Sequence, residues 1–464
     1  MPHRSRNIHP PTAVTQAFRL ARPGRPRACL LRGKGRILCM NKRIYKGYWW
    51  LPSLSDDQVS GLLTIESDGH IVLELFGAFG LEEKGLSFEQ DSESVIWGRC
   101  YAENNHMKDI SLFRCNSAIT LNFDSTFPII RYTCRYAFIG YHGTSVDDQL
   151  FFKANVDFDE LVHWCPPHNV QMTYFMDRIS FDVDISRDSE SVITSVGFND
   201  GVQLNLIKGI SCFPEYPETV IKQSTYLEVR KETLSANYVI QQARNLERFL
   251  SVAILTPVEH STIRLFSRDC CQMAGETPIY HPIEFIVPLY QPLQPVIIKR
   301  PYDFLFDFQQ IEDKFNELYT RFCSDKNISQ IWDNLIVSLE KRRVYSSHDF
   351  LNVIQALDGF SIRYRRENGF KKQLTSLRDE FIGIDKMTLT DADLKAATGS
   401  RHYYSHILKI EKKQEKSALD GIELYNLTKK LRVLLICCIL NFLGLPNVRI
   451  NEILNSCNAP IVRS

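Results

Sequence analysis

The chain has 464 residues, 44% of them apolar and 23% charged, with a formal net charge of +1. That length exceeds what one hydrophobic core sustains, and that composition excludes a disordered, collagen-like or polyacidic chain. The thirteen cysteines form no Cys-x2-Cys pair, and the longest apolar stretch, Val433 to Leu445, is broken by Asn441. Zinc fingers, disulfide scaffolds and membrane spans are not indicated, which leaves free thiols in a soluble cytoplasmic protein as the expectation.

Residues 1–39 hold nine Arg or Lys and no Asp or Glu. They lack any helical or strand period and read as a disordered basic leader, upstream sequence with Met40 as the initiator, rather than a transit peptide or a nucleic-acid-binding tail. Residues 40–464 then carry 46 basic against 54 acidic side chains, of which 24 basic and 21 acidic fall in 301–464. The middle of the chain is acidic and the C-terminal part mildly basic, so a polyanion site belongs in the latter.

From Ile44 to about Lys299 the apolar period is mostly two, which predicts strands. Gly61 to Ile65 and Ile71 to Phe76 flank the hairpin signature Ser67-Asp68-Gly69. Further strands are expected over Val95–Tyr101, Ile110–Cys115, Ile119–Phe123, Ile129–Phe138, Ile179–Ile185, Val192–Val196, Val202–Ile207, Tyr226–Arg230, Ile263–Phe266 and Ile283–Val287. One long helix, about Leu234 to Ala253, interrupts them, and Pro288, Pro292, Pro295 and Pro301 punctuate a linker.

Beyond Pro301 the period becomes helical. Phe304, Phe308, Ile311, Phe315, Leu318 and Phe322 form one amphipathic stripe, and a short helix is expected over Ile331 to Leu339. Ser347 begins another with stripe Phe350, Ile354, Leu357 and Phe360, and Leu374, Leu377 and Phe381 mark a fourth. Thr390 and Asp393 have capping-box spacing for a short helix ending near Gly399, and a last helix runs from Leu424 to Phe442, stopping at Gly444. The expected fold class is α+β multidomain: a basic leader over 1–39, a β-rich domain with one long helix over 41–300, and an all-α bundle over 301–464.

Inside that bundle stands Arg401-His402-Tyr403-Tyr404-Ser405-His406. An arginine supplies a fixed cation for phosphate and an imidazole can move a proton near neutral pH, so the pairing suits phosphodiester chemistry. The bare Arg-x4-His spacing recurs at Arg4–His9 and Arg343–His348, so setting must carry the assignment. Ser400 after Gly399 is an eligible N-cap, which predicts that the hexad opens a helix and borrows its N-terminal N–H groups for phosphate. His402 and His406 share a helical face, while no nearby Asp, Glu or Cys completes a metal set. His142, His163 and His168 are scattered and read as structural.

The region resembles the HEPN superfamily of helical nucleases, specifically its ApeA-like anti-phage branch. The hexad matches that family's Arg-polar-x-x-x-His motif, Phe350 to Asp358 resembles an earlier helix, and Leu431 to Pro446 resembles the closing helix. Upstream, Gly47 to Pro52, Gly61 to Ile65 and Leu161-Val162-His163-Trp164 look like the domain that precedes HEPN in ApeA-like proteins. Two departures are His402, where Asn is common, and Asp358, where Glu is frequent.

The resemblance implies a metal-independent endoribonuclease without cofactors. His406 would be general base or acid, Arg401 would stabilise transition-state charge, and His402 would orient phosphate. Asp358 would give polar support, and two copies would meet across a HEPN homodimer. Tyr403 and Tyr404 would stack bases, with packing in the bundle the use expected of at least one. Lys409, Lys412, Lys413 and Lys416, with Arg363, Arg365, Arg366, Lys371 and Lys372, would neutralise phosphates. RNA is the expected partner, tRNA among the candidates, with a phage-derived trigger acting on a sensory N-terminal domain. The rival reading is a non-catalytic HEPN module that binds RNA or nucleotide, or only packs a dimer.

Overall fold

In the computed structural model the described residues are 42–80, 92–101, 106–120, 129–167, 170–174, 179–183, 190–215, 218–288, 303–339, 347–367, 369–409, 411–412 and 417–459. The basic leader, His168, the Pro292 to Pro301 linker, Arg343, Lys413 and Lys416 lie outside them.

Six antiparallel strands come first: β1 (Arg43–Trp50), β2 (Val59–Ile65), β3 (Ile71–Phe76), β4 (Ser92–Tyr101), β5 (Met107–Thr120) and β6 (Ile129–Ile139). Their order β6-β3-β2-β1-β4-β5, with β5 pairing back to β6, closes a barrel. Alternation makes the closure possible, since every second residue of β2 and β3 is buried. Trp49, Leu63, Ile65, Leu73, Ile96 and Leu112 fill the interior. The Trp49 indole lies flat on Gly98, where an added Cβ would come within 2.3 Å of the ring. Between β2 and β3 the expected turn is present: Gly69 has φ +79 and Asp68 accepts the His70 N–H.

The sheet continues from β6 through β7 (Phe151–Asp157), helix α1 (Leu161–Trp164), β8 (Val170–Tyr174), β9 (Ile179–Val183), β10 (Glu190–Gly197), β11 (Gln203–Glu215) and β12 (Glu218–Leu234). Then come helix α2 (Ala236–Ile254), β13 (Thr262–Ser267), β14 (Cys271–Ala274), β15 (Thr277–Tyr280) and β16 (Ile283–Ile286). The order β10-β11-β12-β7-β13-β16-β6 joins this extension to the barrel, while β8-β9 and β14-β15 are separate hairpins. Helix α2 starts where the Ser235 side chain accepts the Tyr238 N–H, and its apolar face packs on β12 and β7.

The remaining described elements are helical: α3 (Phe315–Ser324), α4 (Ile328–Leu339), α5 (Ser347–Tyr364), α6 (Phe370–Glu380), α7 (Asp391–Ser405), α8 (Gly421–Phe442) and α9 (Asn447–Ser456). A β-rich N-terminal region followed by a helical C-terminal region is thus the architecture that the two periodicities predict. The first of the expected C-terminal helices is misread. The stripe from Phe304 to Phe322 is not a single helix, because its first half is turns and irregular chain leading into one 3-10 turn, Glu312–Lys314, and α3 starts only at Phe315. Phe304, Phe306, Phe308 and Ile311 are buried all the same, wedged between sheet and bundle. Gly444, with φ +106, ends α8 as expected, and Leu445 N–H donates to Leu440 O. Pro446 is not only a stop; it occupies the N-cap position of α9, without a side-chain hydrogen bond.

An aromatic seam ties the two regions. Phe249 of α2 meets Trp164, Phe306, Phe315, Tyr319, Phe322 and Trp332 edge-on, tilted or stacked, with centroids 5.4–6.4 Å apart. The buried indoles also donate across it, Trp164 to Phe306 O at 3.0 Å and Trp332 to Arg248 O. Residues before and after 301 therefore share one continuous core.

Candidate active site

Helix α7 carries the hexad, and where it starts decides what the hexad can do. Thr390 is its N-cap: the Thr390 hydroxyl accepts the Asp393 N–H and the Asp393 carboxylate accepts the Thr390 N–H, a complete capping box. The helix runs past Gly399 without a break. Arg401 to Ser405 form its last turns and His406 is its C-cap. The expectation that Ser400 caps a new helix is overturned. Ser400 is fully buried, and its hydroxyl accepts the Leu419 N–H at 3.0 Å. The N-terminal N–H groups of α7 therefore lie at its far end, and the hexad stands where a helix exposes carbonyls and favours cations.

The helix is closed by a left-handed residue. Ile407 has φ +47, and Leu408 N–H returns to Tyr403 O at 3.1 Å, the Schellman pattern. A β-branched side chain at positive φ is strained, and that of Ile407 is also 91% exposed.

Arg401 turns toward α5 and α6. Its Nη2 donates to Asp358 Oδ2 at 2.9 Å, and its guanidinium lies 4.5 Å from the centroid of the Phe370 ring. The side chain keeps 41% of its exposure, so part of it stays open to a ligand. His402 and His406 are both exposed, with ring centroids 4.9 Å apart and planes inclined by 61°. Residues five apart on a helix diverge by about 140°, and with Arg401 held against Asp358 the arginine and His406 occupy different sides of α7.

The tyrosines divide differently. Tyr404 Oη donates to Leu419 O at 2.8 Å and its ring packs toward Phe350, while burial pushes its phenol up. Ser400 and Tyr404 between them hold both backbone polar groups of Leu419, which pins the returning chain to α7. Tyr403 is half-buried, edge-on to Tyr404 at 5.0 Å.

Of the basic residues, Lys409, Lys412, Arg366, Lys371 and Lys372 are exposed. Arg363 is bound to Asn327 O and Gln330, and Arg365 forks onto Glu380 at 2.7 and 2.9 Å. These two are spent on joining helices. Arg432 is buried and donates to Ser338 at the end of α4. Phe370 is the contact that linear reading passes over: nothing in the sequence links it to Arg401, and only the packing of α6 on α7 brings them together.

In the β-rich region His142 lies between indoles, stacked on Trp97 at 5.1 Å and edge-on to Trp50 at 5.5 Å, with Nε2 bonded to Gly98 O. Burial lowers the pKa of His163. Among the described residues no group of three or more His, Cys, Asp or Glu is arranged to hold a metal ion, and no helix is long and apolar enough to cross a membrane.

Comparison with known families places these observations. Residues 44–322 match the model of ApeA N-terminal domain 1, which covers more than half of the chain, and residues 360–449 match the Apea-like HEPN model. Comparisons with the curated proteins and with the solved structures give no match. The second span contains the hexad, Phe370 and the whole of α6, α7 and α8. The chain belongs to the ApeA family, an N-terminal ApeA domain followed by an Apea-like HEPN domain.

Proposed function

We propose that this chain is a metal-independent endoribonuclease of anti-phage defence, acting in the cytoplasm on RNA, tRNA among its candidate substrates. The observation that carries the reading is the end of α7, where Arg401, His402 and His406 all reach solvent within the span matched by the HEPN model. The family is one of HEPN nucleases, and this arrangement supplies a cation and two imidazoles.

His406 takes the proton of a ribose 2′-hydroxyl, or delivers one to the leaving 5′-oxygen. The 2′-oxygen attacks phosphorus as the bond to the 5′-oxygen breaks, which leaves a 2′,3′-cyclic phosphate and a 5′-hydroxyl. Arg401 balances the charge that builds on the phosphorane-like transition state, and His402 orients the phosphate. Because the hexad sits at a helix C-terminus, neutralisation falls to side chains alone: Arg401 first, then the exposed Lys409 and Lys412. A two-fold homodimer through the HEPN bundle joins two such patches and provides one histidine for each proton transfer. The N-terminal domain receives a phage-derived trigger.

The test is cleavage of RNA by purified protein in EDTA, the wild type beside His406→Ala, with product ends identified. Cyclic phosphate from the wild type and none from the variant is the expected result. Full activity in soluble His406→Ala sinks the assignment, and loss of wild-type activity in EDTA sinks metal independence. Equal RNA binding by both proteins with no product from either makes the domain a non-catalytic RNA-binding module. Light scattering is expected to give a dimer; a monomer cleaving at full rate excludes the paired site.

A further inference from the structure

We infer that Phe370 is a positioning residue of this site, one wall of a preformed slot for the Arg401 guanidinium. The inference rests on the reading of Arg401 as the phosphate-facing cation. The slot has two sides. Asp358, from α5, accepts from Nη2 at 2.9 Å and engages one edge of the guanidinium, while the Phe370 ring, from α6, lies against the group with its centroid 4.5 Å away. An ion pair alone leaves a long arginine free to pivot about one hydrogen bond. A ring at the same time restricts tilt, because a planar cation is attracted to the aromatic quadrupole. What remains open is one edge, in a fixed direction.

The walls are held by contacts that do not involve Arg401. The turn from α5 into α6 is made by Arg366 at φ +56 and Gly369 at φ +89, the latter a conformation glycine adopts without strain. Arg365 clamps that turn by its fork onto Glu380 at the other end of α6 and reaches Asn441 of α8 at 3.5 Å. Gln373, buried one turn into α6, donates to Glu367 O at 2.9 Å across the same turn. Phe370 itself packs against the buried core of the bundle. A slot held from behind needs no rearrangement when phosphate arrives, which is what transition-state stabilisation requires of a donor.

Four proteins test this: Phe370→Leu, Phe370→Trp, Arg401→Ala and the double variant Phe370→Leu/Arg401→Ala. Phe370→Leu is expected to lower kcat about tenfold with KM unchanged, as for a misaimed transition-state group. Phe370→Trp, which keeps an aromatic face, is expected to stay within about twofold of wild type. Free guanidinium ion is expected to restore part of the cleavage by Arg401→Ala and none by the double variant. A Phe370→Leu enzyme with wild-type kcat, or equal guanidinium rescue in both alanine backgrounds, overturns the inference.

If the wild type cleaves no RNA, the functional reading has failed, and the slot is judged by melting temperature. Losses from Phe370→Leu and Arg401→Ala that are less than additive in the double variant keep the slot, and additive losses refute it.

Discussion

His142 and His406 show how the same side chain is used in the two regions. In the barrel His142 is sandwiched by Trp97 and Trp50, and its ring nitrogen is committed to a backbone carbonyl. At the end of α7 His406 is exposed and touches the ring of His402. One imidazole has protein in place of water on most sides; the other stays open to solvent. The lesson is that a polar group left exposed on the same helix end as a restrained cation is a better candidate for chemistry than one whose hydrogen bonds are already spent inside the fold.

The first way to break this contrast has the largest expected effect. His406→Ala and Arg401→Ala should each cut RNA cleavage about a thousandfold or more; the melting temperature should stay near wild type for His406→Ala, while Arg401→Ala, which leaves Asp358 unpaired, should stay folded with a lowered one. His142→Ala should do the reverse, costing about 2 kcal/mol of stability with kcat retained in the folded fraction. If His142→Ala inactivates without destabilising, the contrast is wrong. Second, Trp164→Ala should cost about 4 kcal/mol, since it empties the seam and orphans Phe306 O. Calorimetry should still show one transition for both regions, and two separated transitions would refute the shared core.

Third comes a buried acid in the N-terminal region. Burial raises the Glu160 carboxyl to about 7, with Asp159 and Glu259 adding to it and a backbone N–H opposing. The folded protein then holds a proton that the unfolded chain releases at lower pH. Glu160 thus penalises folding progressively as pH rises from the ordinary glutamate range to about 7, and fully above it. Glu160→Gln should stabilise the protein by about 2 kcal/mol at pH 8 and hardly at all at pH 4, as read by thermal denaturation. An equal gain at both values would show that the carboxyl is not the cause. The smallest effect is expected at Ile407, where glycine should relieve the positive φ and add about 1 kcal/mol, measured by chemical denaturation.

Much of the fold was legible because each element has a local cause. Ser67-Asp68-Gly69 fixes a turn, Ser235 starts α2, Thr390 and Asp393 start α7, and Gly444 ends α8. The failures have causes that are not local. Phe304 and Phe308 imitate a helical stripe because both are buried in the seam, and burial leaves the same mark on irregular chain. Gly399-Ser400 imitates a helix boundary, yet the Ser400 hydroxyl serves Leu419, nineteen residues on. The hexad was legible from its residue chemistry and from the family resemblance, and Asp358 from the resemblance. Phe370 was not, because cross-helix geometry leaves no periodic trace.

The aromatic seam bears on how such proteins can be recombined. Phe249 lies near the end of the β-rich region, and the rings that surround it extend to Trp332. A chimera spliced at the linker near residue 300 would pair one parent's Phe249 with another parent's Phe306, Phe315 and Trp332, and the indole of Trp332 would have to find a foreign carbonyl. Exchange of N-terminal domains between relatives therefore has its tolerated junction beyond Trp332. On that account the boundary at which the parts can be inherited separately lies inside the helical region, downstream of the point where the chain first changes its period.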